Sequence, residues 1–343
     1  MKHLLNTLYI TNEKSYLSLN GENIVISEED QEIGRFPLHT LNSIIYFGYK
    51  GATPALIGKC AKYKINLAFF TPNGKFLARV VGNTSGNIFL RKEQYRISDD
   101  ESRSCNVARN IIAAKVHNSR WILERAARDH PYRVDVDSLK HTSNKLAMSI
   151  PDIMKCENLN DLRGFEGIAA NLYFNVLDDL ILQNKNEFYM IRRSRRPPLD
   201  KTNALLSFVY TLLLQDYVSA LEGVGLDPYA GFLHRDRAGR ASLALDLMEE
   251  LRSVYADRFV ISLINNRTIK PDDLIVKENG AVILTNDGRK ILFKSWQLKK
   301  KEELTHPFLQ EKITWGLVPH TQSLLLSRYV RGDLDAYPPF FWK

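Results

Sequence analysis

The sequence predicts an α+β fold, with a small β-sandwich or β-roll at its N-terminus followed by a mainly α-helical domain. Three observations predict it. Over the first 80 positions, short runs of branched and aromatic residues are separated by turn residues. The segment Gly82-Asn83-Thr84-Ser85-Gly86-Asn87 then holds little that could anchor a core. Beyond it, apolar residues recur at helical spacing along most of the remaining chain. At 343 residues the chain exceeds the usual size of one domain, so two are expected.

Strands are predicted at 8–10, 16–19, 24–26, 33–36, 44–47, 67–70 and 76–80, each rich in β-formers. Asn20-Gly21 and Asn73-Gly74 suit tight hairpins of type I′, whose two central positions need positive φ. One helix, 54–63, interrupts the strands. These elements make residues 1–82 the β-domain, and 83–100 are read as the linker. Helices follow at 101–128, 138–148, 161–183, 202–222, 242–255 and 257–265. A hairpin at 273–277 and 281–285 flanks Glu278-Asn279-Gly280, and helices resume at 289–303 and 307–331. The helical domain is bounded at 101–332. Residues 333–343 form a tail in which Pro338-Pro339 rules out a continuing helix.

Composition excludes several classes. With 44% hydrophobic and 25% charged residues the chain is neither low-complexity nor collagen-like. No run approaches the roughly 18 to 20 consecutive apolar residues of a bilayer span. The N-terminus alternates like a strand and lacks a signal-peptide apolar block. Cys60, Cys105 and Cys156 are odd in number and widely spaced, so they read as reduced thiols in a cytoplasmic protein. The net charge of +8 is compatible with a polyanionic partner without demanding one. Its distribution says more: basic residues gather at Arg192, Arg193, Arg195 and Arg196, at Arg235, Arg237 and Arg240, and at Lys299 to Lys301.

Three segments hold candidate chemistry. In Arg163-Gly164-Phe165-Glu166-Gly167, Glu166 shares a helix face with the uncharged Ala169, Ala170 and Tyr173. Glycine costs about 1 kcal/mol in a helix interior, which is explicable if a backbone or a phosphate ligand must come close. An ordinary solvated glutamate is the competing reading. His234 precedes Arg235, Arg237 and Arg240 in a glycine-containing loop that feeds a helix, a setting suited to a phosphodiester. A lone histidine is otherwise a hydrogen-bonded structural residue. On the next helix, Asp246 and Glu249 stand at i and i+3, so their carboxylates share a face. Such a pair either holds a cation or is a solvated acidic face. Together, one imidazole and two or three carboxylates favour Mg²⁺ or Mn²⁺ over structural zinc. The spacings of 68 residues from Glu166 to His234 and 15 from His234 to Glu249 match no short local metal motif.

Four ordered motifs carry a more specific signal: Gly164-Phe165-Glu166-Gly167, then Arg195-Arg196-Pro197-Pro198-Leu199-Asp200-Lys201-Thr202-Asn203-Ala204, then Gly225-Leu226-Asp227-Pro228-Tyr229 through His234, then Leu245-Asp246-Leu247-Met248-Glu249. With Thr7-Leu8-Tyr9-Ile10 and residues 73–80, they resemble the CRISPR-associated adaptation integrases, the first-numbered CRISPR-associated family, through essentially the whole chain. The resemblance implies a metal-dependent DNA endonuclease that inserts spacers into a CRISPR array when a 3′-hydroxyl attacks a phosphodiester. No nucleotide cofactor is needed, and no GxxxxGK[ST] motif is present. It implies Glu166, His234 and Glu249 as catalytic metal ligands, with Asp246 as an adjacent metal ligand or a carboxylate supporting them. It also implies double-stranded DNA as partner, homodimerisation through residues 1–82, and a small ferredoxin-like adaptation protein as a second partner. Arg192, Arg193, Arg195, Arg196, Arg235, Arg237 and Arg240 are the candidate phosphate contacts. Tyr173 either lines the site or packs in the core. The tail Tyr337-Pro338-Pro339-Phe340-Phe341-Trp342 suits docking in a partner's groove or folding back on its own domain. The rival readings are a metal-dependent nuclease that only hydrolyses, and a non-catalytic nucleic-acid-binding scaffold.

Overall fold

The computed structural model describes residues 6–72, 76–82 and 88–342. The α+β class holds, with seven strands in the N-terminal region and most helices after it. The chain forms two compact units: residues 1–85 with 284–302, and residues 86–283 with 303–343.

In the first unit, strands β1 (Thr7–Ile10), β2 (Tyr16–Asn20), β3 (Asn23–Glu28), β4 (Gln31–Pro37), β5 (Ser43–Phe47), β6 (Asn66–Phe70) and β7 (Phe76–Arg79) make two sheets. One is the antiparallel meander β2-β3-β4; the other has the order β1-β5-β6-β7. Strand β5 runs parallel to both β1 and β6, which departs from the simple roll expected. The cause is α1 (Pro54–Tyr63), a crossover between β5 and β6 that returns the chain to the same end of the sheet. Thr53 caps that helix by accepting from Leu56 N at 3.3 Å, and Pro54 occupies its first turn. Alternate residues of the strands, with Leu56 and Cys60 of α1, fill one core around Leu17, Ile24, Ile44 and Leu67.

The hairpin β2–β3 turns on Gly21 and Glu22, and only Gly21 has positive φ (59°), the pattern of a type II′ turn rather than I′. The β3–β4 turn instead places Glu29 and Asp30 both at positive φ (47° and 65°). The Asn73-Gly74 turn and residues 83–87 of the expected linker lie outside the described residues.

The rest of that linker is helix α2 (Ile88–Asp99), because Leu90, Gln94 and Ile97 recur at helical spacing and are buried. The second unit continues with α3 (Glu101–Asp129), α4 (Val136–Lys155), α5 (Leu159–Val176), α6 (Lys201–Val224), α7 (Ser242–Leu251) and α8 (Arg258–Asn265). Asp100, Asp135, Asn158 and Asp200 cap α3, α4, α5 and α6 with their side chains. Helix α4 outruns its expected end and passes through Pro151, held by the fully buried Ile153. Helix α6 matches a bilayer span in length and composition, with a mean hydropathy of 1.4, but 56% of that window is buried. Its apolar residues are core: Leu205, Leu206, Val209, Leu212 and Leu213.

Strands β8 (Leu274–Val276) and β9 (Val282–Leu284) form the expected hairpin. Helix α9 (Asn286–Lys301) belongs to the first unit, where Phe293 stacks on Tyr9 with ring centroids 4.1 Å apart. The sequence division had placed it with the helical domain. The single helix expected at 307–331 is a hairpin, β10 (Glu303–Thr305) with β11 (Lys312–Thr314), followed by α10 (Val318–Val330). Pro319 sits in the first turn of α10, where a missing N–H costs nothing. The tail folds back on its own unit, with Tyr337 and Phe340 at 1% and 0% exposure, so these residues are not free to dock elsewhere.

Candidate active site

The segment bearing His234 is held from three sides. Helix α2 grips its approach: Gln94 Nε2 donates to the carbonyls of Asp227 (2.7 Å) and Ala230 (2.9 Å), and Ser98 Oγ donates to Gly231 O (2.7 Å). From α5, Arg163 Nε donates to Leu233 O at 2.8 Å. From α7, Asp246 receives four hydrogen bonds. Its Oδ2 accepts from Phe232 N (2.7 Å) and Leu233 N (2.9 Å), while Oδ1 accepts from His234 N (3.1 Å) and lies 2.5 Å from His234 Nδ1. A fully buried carboxylate so placed orients the imidazole through Nδ1. Each oxygen of Asp246 thereby meets two groups of the Phe232–His234 stretch, which ties the histidine to α7.

Gly231 makes this closure possible. A Cβ there would stand 2.7 Å from Ser242 Cβ and 3.0 Å from Asp246 Oδ2. Gly231→Ala is therefore expected to lower stability by about 1–3 kcal/mol as the loop is pushed off α7. Thermal unfolding reads this, and an unchanged midpoint would mean that the loop has slack.

One turn after Asp246, Glu249 is 2% exposed and meets two cations. Lys115 Nζ of α3 lies 2.7 Å from its Oε2, and Arg252 Nη2 lies 2.9 Å from its Oε1. Burial works to raise its pKa, but Arg252, Lys115 and His234 outweigh that and bring it down to about 2. Lys115 also pairs with Glu166 of α5. One ammonium thus bridges Glu166 and Glu249, residues 83 positions apart in sequence. Lys115 was not foreseen, although a signal existed: it falls on the apolar stripe of α3 with Ala108, Ile111 and Ile122, where an unpaired lysine has no place.

Behind this cluster, a cavity is lined by Lys115, Tyr173, Tyr210, Arg252, Asp257 and Arg195. Tyr210 Oη donates to Asp257 Oδ1 at 2.5 Å, and the guanidinium groups of Arg193 and Arg252 stack over the Tyr210 ring at 5.3 and 5.0 Å. Burial lifts the Asp257 carboxyl to about 6 against the lowering effect of Tyr210 and Arg193. Arg252 to Asp257 form a π-helical turn that widens the helix here, a distortion common at functional sites. Tyr173 is both readings at once, 3% exposed and lining the cavity.

The arginines divide. Arg193 is turned inward, donating to Asn203 Oδ1 (2.6 Å), Ser194 O (2.6 Å) and Ser207 Oγ (3.2 Å), so it braces the 192–196 loop and is not available to phosphate. Arg192, Arg195, Arg196, Arg235 and Arg237 are exposed and Arg240 is half-buried. Arg235 Nη2 donates to Asn160 Oδ1 at 3.0 Å, next to Arg163. A Cβ built at Gly164 or Gly167 meets nothing within 4 Å, so no neighbouring backbone requires these glycines. The face beside Glu166 is open, as the approach of a phosphate chain needs.

Among the described residues no three His, Cys, Asp or Glu side chains already surround one point. The donor types nonetheless suit a hard divalent cation: two carboxylates and an imidazole, with the Lys115 ammonium marking where positive charge is held.

A family profile described as CRISPR associated protein Cas1 matches residues 8–298. A CRISPR-associated endonuclease Cas1 of Chlorobaculum tepidum is 47% identical over 343 residues, covering all of both chains. A casposase bound to integration product shares the fold with a TM-score of 0.82 at 22% identity, over 99% of this chain and 95% of that one. So does a chain of a Cas6-RT-Cas1–Cas2 complex, with a TM-score of 0.81 at 22% identity; this chain is wholly covered but spans only 36% of that longer one.

Proposed function

Because this chain belongs to the CRISPR associated protein Cas1 family, we propose that it is a metal-dependent DNA endonuclease and integrase that inserts short duplexes into a CRISPR array. The observation that carries the reading is the convergence of Glu166 and Glu249 on Lys115, with His234 held by Asp246 one turn before Glu249 on α7. Glu166, Glu249 and His234 Nε2 would hold Mg²⁺ or Mn²⁺, which when bound supplies Lewis-acid activation and charge stabilisation at a phosphodiester.

In the reaction, a 3′-hydroxyl gives up its proton to solvent as its oxygen bonds to phosphorus and the target's own P–O3′ bond breaks, and the displaced 3′-oxygen takes up a proton. One phosphodiester replaces another. Asp246 orients the imidazole through Nδ1, while Lys115 and Arg252 keep Glu249 deprotonated. The exposed Arg195, Arg235 and Arg237 pair with phosphate oxygens and steer the duplex.

Homodimerisation falls to the first unit. Strand β4 is a sheet edge with Ile33 54% and Phe36 40% exposed, a surface that a second copy could cover. A Cas2-like protein is the second partner, in keeping with the complex that the similar chain forms.

A labelled duplex with free 3′-hydroxyl ends, mixed with supercoiled target and Mn²⁺, is expected to yield covalent duplex–target products. Nicking without joined product would favour the hydrolytic nuclease instead. DNA affinity is expected to fall steeply between low and moderate salt, with a log–log slope near −0.9 per phosphate contacted. A flat response in a filter-binding titration would remove the arginine surface from the reading.

A further inference from the structure

Glu250 follows Glu249 on α7 yet faces away from Lys115, since successive helix residues point about 100° apart. It is fully buried, and its carboxylate has three protein donors. Tyr337 Oη donates to Oε1 at 2.7 Å, while Gln322 Nε2 (2.8 Å) and Phe340 N (3.0 Å) donate to Oε2. Gln322 belongs to α10, and Tyr337 and Phe340 to the 333–342 segment.

The same segment is tied to α3. Asn118, three residues after Lys115, donates through Nδ2 to Glu250 O (2.8 Å) and Phe340 O (2.7 Å), and its Oδ1 accepts from Trp342 N (2.8 Å). Asn110, five residues before Lys115, donates to Tyr337 O at 3.1 Å. The two residues that flank Lys115 on α3, and the residue after Glu249 on α7, therefore all end on this one stretch of chain.

A buried carboxylate with several directed donors tolerates little displacement, because each bond lost inside the protein leaves an uncompensated group. Rolling α7 about its axis would break the bonds at Glu250 and turn Glu249 away from Lys115 together. We propose that the 333–342 segment is a positioning element of the active site, in which Tyr337 and Phe340, through Glu250, fix the rotation of α7 that presents Glu249 to Glu166 and Lys115. This deepens the functional reading above and rests on it for its catalytic consequence. Tyr337 and Glu250 are positioning residues; neither touches substrate.

Tyr337→Phe, which removes one hydroxyl, and Glu250→Gln are the tests. In Mn²⁺-supported strand transfer each is expected to lower kcat about 10-fold, with DNA Kd within about twofold and the Mn²⁺ concentration for half-maximal rate raised several-fold. Amide hydrogen exchange across residues 245–251 is expected to quicken in both. An unchanged kcat and Mn²⁺ dependence would overturn the proposal, as would parallel losses of kcat and DNA affinity. If Glu250→Gln does not fold, Tyr337→Phe decides alone. Should the unmodified protein show no Mn²⁺-dependent reaction, the functional reading fails, and hydrogen exchange still judges the brace: unchanged protection of 245–251 sinks it.

Discussion

Replacing His234 with alanine is expected to reduce Mn²⁺-supported strand transfer by at least about 10²–10³-fold, with DNA binding retained. His234 is a more direct candidate ligand to test than Glu249, because its side chain is 22% exposed against 3% for Glu249 and its removal opens no sealed cavity. Glu166→Ala is expected to act alike, since Glu166 is only part-buried beside Lys115. Glu249→Ala carries a second effect. It would take the carboxylate from Arg252 and leave Lys115 with Glu166 alone, and breaking a buried pair costs about 3–5 kcal/mol. Glu249→Gln, which keeps the volume, is therefore the better comparison, with thermal unfolding measured beside the rate. Glu249 titrates at about 2, below the unfolded carboxylate value. The stability it contributes is complete above pH 5 and is lost as pH falls toward 2. An acid limb of the rate profile near neutrality must come from another group. Full strand transfer by His234→Ala would remove this residue from the site.

The second large effect is expected from Asp246→Asn. The carboxylate accepts three backbone N–H groups and meets His234 Nδ1, whereas an amide offers one acceptor oxygen and turns an NH₂ toward other donors. Losing a supporting partner of this kind typically costs about 10- to 100-fold in activity, and leaving buried donors unmatched costs about 1–3 kcal/mol. The variant is expected to show both, with the His234 tautomer redistributed between its two nitrogens in ¹⁵N NMR. Wild-type turnover with an unchanged tautomer would show that the imidazole is held by something other than Asp246.

Much of this was legible in residue order. Short runs of branched and aromatic residues between turns marked the seven described N-terminal strands, and helix 54–63 emerged with its bounds intact, because a capping threonine and Pro54 announce its start. Glu166, His234 and Glu249 were nominated by their company and by family resemblance. The distinct duties of Asp246 and Glu249 were not legible. At i and i+3 they are equivalent until the Gly231–His234 loop folds onto one of them. Helix α9 shows the same limit: its apolar stripe is plain, but nothing local says that Phe293 meets Tyr9. Lys115 was overlooked because a single lysine in a long helix resembles surface decoration until its neighbours on the wheel are counted.

The ammonium that Lys115 places between Glu166 and Glu249 has a thermodynamic consequence of its own. In small zinc domains the ion's binding energy is the folding energy, and a chelator unfolds the chain. Here the two carboxylates reach charge balance with the covalently attached cations Lys115 and Arg252, so their pairing does not wait for an ion. Under the proposed function an incoming divalent metal would compete with a tethered rival of high effective concentration. Loading would then be an exchange of one cation for another, which favours weak and reversible occupancy over permanent capture.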